Sequence, residues 1–80
     1  MADTAARLTQ CFSAVFPELS EKEIPLASAT SVGTWDSLAS VTLTSVIEEE
    51  FKIQVNPEDL EQLVSYPLIL AYLENGKHAN

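Results

Sequence analysis

Residues 36–51, Asp36-Ser37-Leu38-Ala39-Ser40-Val41-Thr42-Leu43-Thr44-Ser45-Val46-Ile47-Glu48-Glu49-Glu50-Phe51, decide the reading of this chain. Leu43, Val46, Ile47 and Phe51 recur at i, i+3, i+4 and i+8, and Leu38 and Val41 extend that apolar side. The spacing predicts a helix from about Ser37 to Phe51. Its start sets a serine hydroxyl beside unpaired backbone N–H groups, where the macrodipole favours negative charge. Ser37 is therefore a candidate to hold a phosphate diester, a modified rather than a catalytic residue. The plainer alternative is that Asp36 and Ser37 only cap and open the helix.

Ahead of this helix, residues 17–35 show no sustained period and are punctuated by Pro17, Pro25, Gly33 and a Ser/Thr-rich run. A loop this long in a small domain is often functional, and it ends at Asp36-Ser37. Ser20 with Glu23 can cap a single turn within it, and Ile24, Leu26 and Val32 can pin it to the core. Before the loop, Ala5, Leu8, Phe12, Val15 and Phe16 recur at helical spacing with Cys11 on the same side. Asp3 or Thr4 can cap this first helix, and Pro17 marks its end. After residue 51, Lys52-Ile53-Gln54-Val55 reads as an extended connection. Asn56-Pro57 starts a short third helix through Leu60 and Leu63. Ser65 caps a last helix carrying Tyr66, Ile69, Leu70 and Leu73, with Pro67 tolerable in its first turn and Asn75-Gly76 at its end. No strand pair or repeat is evident. The expected architecture is all-α: a single-domain four-helix bundle, three longer helices and one short, with a long first loop. Its core covers about residues 3–75, and residues 76–80 form a frayed tail.

Twelve acidic and four basic side chains give a formal charge of −8. Seven of the acids (Asp36, Glu48, Glu49, Glu50, Glu58, Asp59, Glu61) lie between residues 36 and 61, where Lys52 is the only base. Such a surface disfavours nucleic acid and anionic lipid, and it speeds encounter with proteins bearing basic patches. A merely solvated face is the alternative. Glu48 and Lys52 stand at i, i+4, where an ion pair would offset part of the unfavourable dipole at the helix end. The single Cys11 makes no intramolecular disulfide and is expected to be a buried, inert thiol. Glu58, Asp59 and Glu61 lack the spacing of a calcium loop, so no metal site is expected. No apolar run is long enough to span a bilayer, and the N-terminus lacks a signal-peptide pattern; a cytoplasmic, monomeric protein is expected. A Ser/His/Asp hydrolase reading fails for want of a Gly-x-Ser-x-Gly elbow, and the only histidine, His78, falls in the tail.

Over roughly residues 3–75 the chain resembles the acyl carrier proteins. The resemblance rests on Asp36-Ser37-Leu38 opening a helix, on Val41, Leu43, Ile47 and Glu48-Glu49-Glu50-Phe51, and on Ile53-Gln54-Val55. Pro57-Glu58-Asp59 and the Ser65 to Tyr72-Leu73-Glu74 helix also match. It implies a non-enzymatic carrier whose Ser37 receives 4′-phosphopantetheine from coenzyme A by the action of a magnesium-dependent phosphopantetheinyl transferase. The arm's thiol would then hold acyl groups as thioesters for acyl-transferring or condensing enzymes of fatty acid, polyketide or related synthesis. Asp36 matches the aspartate that lies near the transferase and its metal. Leu38 matches a residue that helps bury the helix start and that the transferase meets. Glu48, Glu49, Val41 and Trp35 are candidates for partner contact, although packing of the loop is the simpler role for Trp35. Val46, Ile47, Leu63 and Ile69 are candidate lining for an acyl chain, with plain core packing as the alternative.

Two departures stand out. Ala39 and Thr42 occupy positions that are acidic in many fatty-acid carriers, and Ser40, Thr44 and Ser45 make the helix rich in hydroxyls. Partner recognition is therefore expected to differ from that of a housekeeping carrier. Thr34-Trp35 stands where peptidyl carriers usually show a Gly-Gly pair. A free-standing aminoacyl or peptidyl carrier remains an alternative, as does an unmodified helical adaptor that uses its acidic face.

Overall fold

The apolar stripe of the first helix is realised in α1 (Thr4–Val15), whose Leu8, Cys11 and Phe12 are buried. The computed structural model describes residues 4–75, so the Asp3 cap, Gly76 and the tail with His78 lie outside the described residues. The chain continues through a 3₁₀ turn at Ile24–Leu26 to α2 (Ser37–Phe51), a 3₁₀ helix at Pro57–Gln62 and α3 (Tyr66–Glu74). The helical bundle expected from the sequence is present, and no strand occurs among the described residues beyond an isolated antiparallel bridge between Ser28 and Ser65.

Phe12 is the centre of the core. Its ring meets Tyr66 at 5.3 Å and Trp35 at 5.5 Å, both edge-on, and Phe16 at 6.0 Å. One side chain thus joins α1, the long loop and α3, and such offset and edge-to-face pairs stabilise beyond simple burial. Tyr66 also donates its hydroxyl to the carbonyl of Ala5 at 3.0 Å, tying α3 to α1. In the same first turn of α1, Arg7 pairs with Glu50 at 2.8 Å, bonds the Glu50 carbonyl and lies 4.5 Å over the ring of Phe51. No helical pattern pointed to that clamp between α1 and the end of α2.

The long loop is held by backbone as well as by apolar side chains. Ala29 donates to Val64 at 2.8 Å and Tyr66 to Ala27 at 2.9 Å. Ser20 and Glu23 form the expected reciprocal cap, at 2.8 and 3.3 Å. Ile24 and Val32 are buried as expected, but Leu26 is 80% exposed. With three residues per turn, Leu26 lies two-thirds of a turn from Ile24 and points away from the core.

The second half of the chain adds detail and one correction. The expected short third helix is present as a 3₁₀ helix, and none of its residues is fully buried. Asn56 sits at its N-cap but makes no side-chain cap bond; its amide donates instead to Asp59 at 3.4 Å. Glu48 does not pair with Lys52: its carboxylate accepts from the Val55 N–H at 2.8 Å. Lys52 adopts the left-handed conformation (φ 57°) that ends α2, and the Ile53 N–H reaches back to the Glu48 carbonyl. This Schellman-type ending turns Ile53 and Val55 into the core.

Candidate functional site

The loop delivers α2 through a sequence of braced turns. Trp35 donates its backbone N–H to Val32 and Asp36 to Thr34, while the Thr34 hydroxyl donates to Glu18 and holds that exposed carboxyl below its ordinary range. Trp35 itself is buried, and its indole N–H donates to the Ser40 hydroxyl at 2.8 Å. It therefore acts here as a core residue that fixes the loop to the first turn of α2. The surface contact considered for Trp35 would require that side chain to leave the core.

Asp36 is the N-cap. Its backbone is extended, and its carboxylate accepts from the Ala39 N–H at 2.8 Å while its carbonyl accepts from Ser40. Ser37 is then the first helical residue. It is exposed, and its hydroxyl has no hydrogen-bond partner among the described residues. Asp36 satisfies only one of the initial N–H groups with its side chain, so the N–H groups of Ser37 and Leu38 remain available at the positive end of the helix. An anionic ester on Ser37 would sit against them.

Leu38 (75% exposed) and Val41 (56% exposed) project from α2 beside this serine. They do not extend the buried face as the apolar pattern implied. Leu43 and Ile47 alone are fully buried on α2, and Val46 is half-buried against the core. The hydroxyl-rich character of α2 has a local explanation in part: Thr42 and Thr44 donate to the carbonyls of Leu38 and Ser40, the back-bonding common to threonine in helices. The three glutamates at the end of α2 have separate situations. Glu48 holds Val55, Glu50 holds Arg7, and Glu49 is exposed.

Between α2 and α3 lies a cavity of about 10 Å³ lined by Leu43, Ile47, Val55, Leu63, Ile69 and Leu73, with Trp35, Ser40, Thr44 and Tyr72 completing the wall. Of the four candidate lining residues, Ile47, Leu63 and Ile69 reach it and Val46 does not. The space is at the lower limit for one water molecule. The Tyr72 phenol donates to Asp59 at 3.1 Å and ties α3 to the 3₁₀ helix; burial, with Asp59 nearby, raises its pKa. Cys11, near α2, is only 3% exposed, and burial, aided by Glu50, pushes its thiol up to about 11. Among the described residues no cluster of side chains is suited to hold a metal ion, and no helix is long and apolar enough to cross a membrane.

No curated protein and no solved structure gives a significant match to the chain. Residues 6–73 do match the model of one family, described as the phosphopantetheine attachment site. That match spans all three α-helices' cores and the loop that presents Ser37, and it favours a carrier over an unmodified adaptor. The chain belongs to the phosphopantetheine attachment site family, the carrier domains that bear a 4′-phosphopantetheine prosthetic group.

Proposed function

We propose that Ser37 carries the 4′-phosphopantetheine arm and that the protein transports acyl groups as thioesters on its terminal thiol. The observation that supports this most is the unpartnered, exposed hydroxyl of Ser37 at the N-terminus of α2. It lies beside two free N–H donors that favour a phosphodiester. Asp36 positions the serine by capping the helix and presents a carboxylate at the modification site. Leu38 and Val41 offer an exposed apolar contact for the transferase and for later partners. Glu49, with Glu48 beside it, supplies negative charge that steers basic enzyme surfaces. Trp35 contributes by fixing the loop rather than by contact. The carrier itself performs no bond chemistry; enzymes of lipid, polyketide or related synthesis act on what it delivers.

Acyl rather than aminoacyl cargo is supported by the apolar seam between α2 and α3. Six aliphatic side chains converge there, which suits a hydrocarbon. At about 10 Å³ the seam admits a chain only if α2 and α3 part.

The test is intact mass after incubation with a broad-specificity phosphopantetheinyl transferase, magnesium and coenzyme A. The expected result is a gain of one phosphopantetheine on the wild-type protein and none on Ser37→Ala. A folded wild-type sample that gains nothing would refute the proposal.

A further inference from the structure

The wall between α2 and α3 carries two aliphatic hydroxyls, Ser40 and Thr44, both on α2; the third hydroxyl, the Tyr72 phenol on α3, is engaged by Asp59. Ser40 and Thr44 stand at i, i+4, on one face of α2, in the turns nearest Ser37. Their hydrogen bonds are asymmetric. Ser40 accepts from the Trp35 indole at 2.8 Å, and no group among the described residues accepts its own proton. Thr44 donates to the Ser40 carbonyl at 2.8 Å, which leaves its oxygen able to accept. The pair thus offers one donor and one acceptor, with Trp35 fixing the position of the donor.

The seam has the means to widen. Close approaches between elements run from α1 to α2 and α3, and from the Ile24–Leu26 turn to α1 and α3. The facing sides of α2 and α3 meet across the cavity. If the arm folds back along α2 and the chain enters methyl end first by the end of the seam nearest Ser37, the carbons next to the thioester lie beside Ser40 and Thr44. A saturated chain there leaves the Ser40 proton and the accepting side of the Thr44 oxygen unpaired, and sites with such groups discriminate against ligands of that kind. An alcohol in the same place accepts from Ser40 and donates to Thr44.

We infer that Ser40 and Thr44 are specificity-determining residues that select acyl chains bearing a hydroxyl close to the thioester. This rests on the reading of Ser37 as the attachment site. The experiment loads the protein with octanoyl- or 3-hydroxyoctanoyl-phosphopantetheine from the corresponding coenzyme A thioesters, and intact mass verifies loading. The cleavage rate of each thioester by hydroxylamine is then measured relative to the same thioester on free phosphopantetheine. The wild-type protein is expected to shield the hydroxylated chain about two- to tenfold better than the saturated one, the range of one net hydrogen bond. Ser40→Ala should bring that ratio to about one, Ser40→Thr should restore it, and Thr44→Val should reduce it. Circular dichroism confirms that each variant is folded. Equal shielding of both chains by the wild-type protein, or a ratio that survives in Ser40→Ala, would overturn the inference while leaving Ser37 as the loading site. Failure to load any chain refutes the Ser37 reading itself, and the inference falls with it.

Discussion

Cys11 is the residue whose ionisation the fold alters most plainly. Its ordinary pKa of 9.0 rises to about 11 in the folded protein because a thiolate there would be desolvated and would face Glu50. The unfolded chain therefore releases this proton first. The contribution is fully present below pH 9 and is lost as pH rises through about 11. Urea unfolding between pH 8 and 11 should show stability falling over this range, with a shallower fall in Cys11→Ala; Tyr72, also raised, adds to the slope above its ordinary value. Asp36 gives a second prediction. Removing its cap in Asp36→Ala should cost about 0.5–2 kcal/mol by urea denaturation, since the Ala39 N–H then loses its protein partner. The cap, the apolar position of Cys11 and the exposed serine were legible in the sequence, because each depends on neighbours within one turn. The Trp35–Ser40 bond was not, because where an indole N–H points depends on how the loop returns to the bundle.

The ends of the elements hold the differences between pattern and structure. The helical periods located α1, α2 and α3 to within a residue or two, since an apolar stripe must face the core wherever it lies. The sequence of the 3₁₀ helix at Pro57–Gln62 shows a short helix without its type, because no buried side chain gives it a period. Tyr72 holds it through Asp59, a contact made across 13 residues of sequence. Tyr72→Phe should accordingly destabilise the protein by about 0.5–1.5 kcal/mol and speed amide exchange across Pro57–Gln62 before the rest of the chain. The end of α2 gives the opposite sign. Lys52 occupies a left-handed conformation that costs a side-chain-bearing residue about 1 kcal/mol or more, so Lys52→Gly should raise the urea midpoint despite glycine's freer unfolded state. Leu38 and Val41 mark the limit of a periodicity argument: they follow the helical repeat, yet nothing packs over the start of α2 to cover them.

At the scale of the whole molecule, a chain of 80 residues has a net stability of roughly 4–12 kcal/mol. Phe12 joins α1, the loop and α3, so Phe12→Ala should cost about 3–5 kcal/mol and leave the domain near its unfolding threshold, as a thermal melt would show. The same core fixes the loop that brings Ser37 to the surface, which links stability to presentation of the proposed attachment serine. A net charge of −8 on this frame suits brief, salt-sensitive encounters with basic enzymes. Attachment of the arm would single out one atom, the hydroxyl oxygen of Ser37, on a helix that also carries Ser40, Thr42, Thr44 and Ser45. The most direct measurement is tandem mass spectrometry of proteolytic peptides from wild-type protein treated with transferase and coenzyme A. One arm per chain is expected, on Ser37, with Ser40 and Ser45 unmodified. An arm on any other hydroxyl, or none on a folded protein, would contradict that expectation.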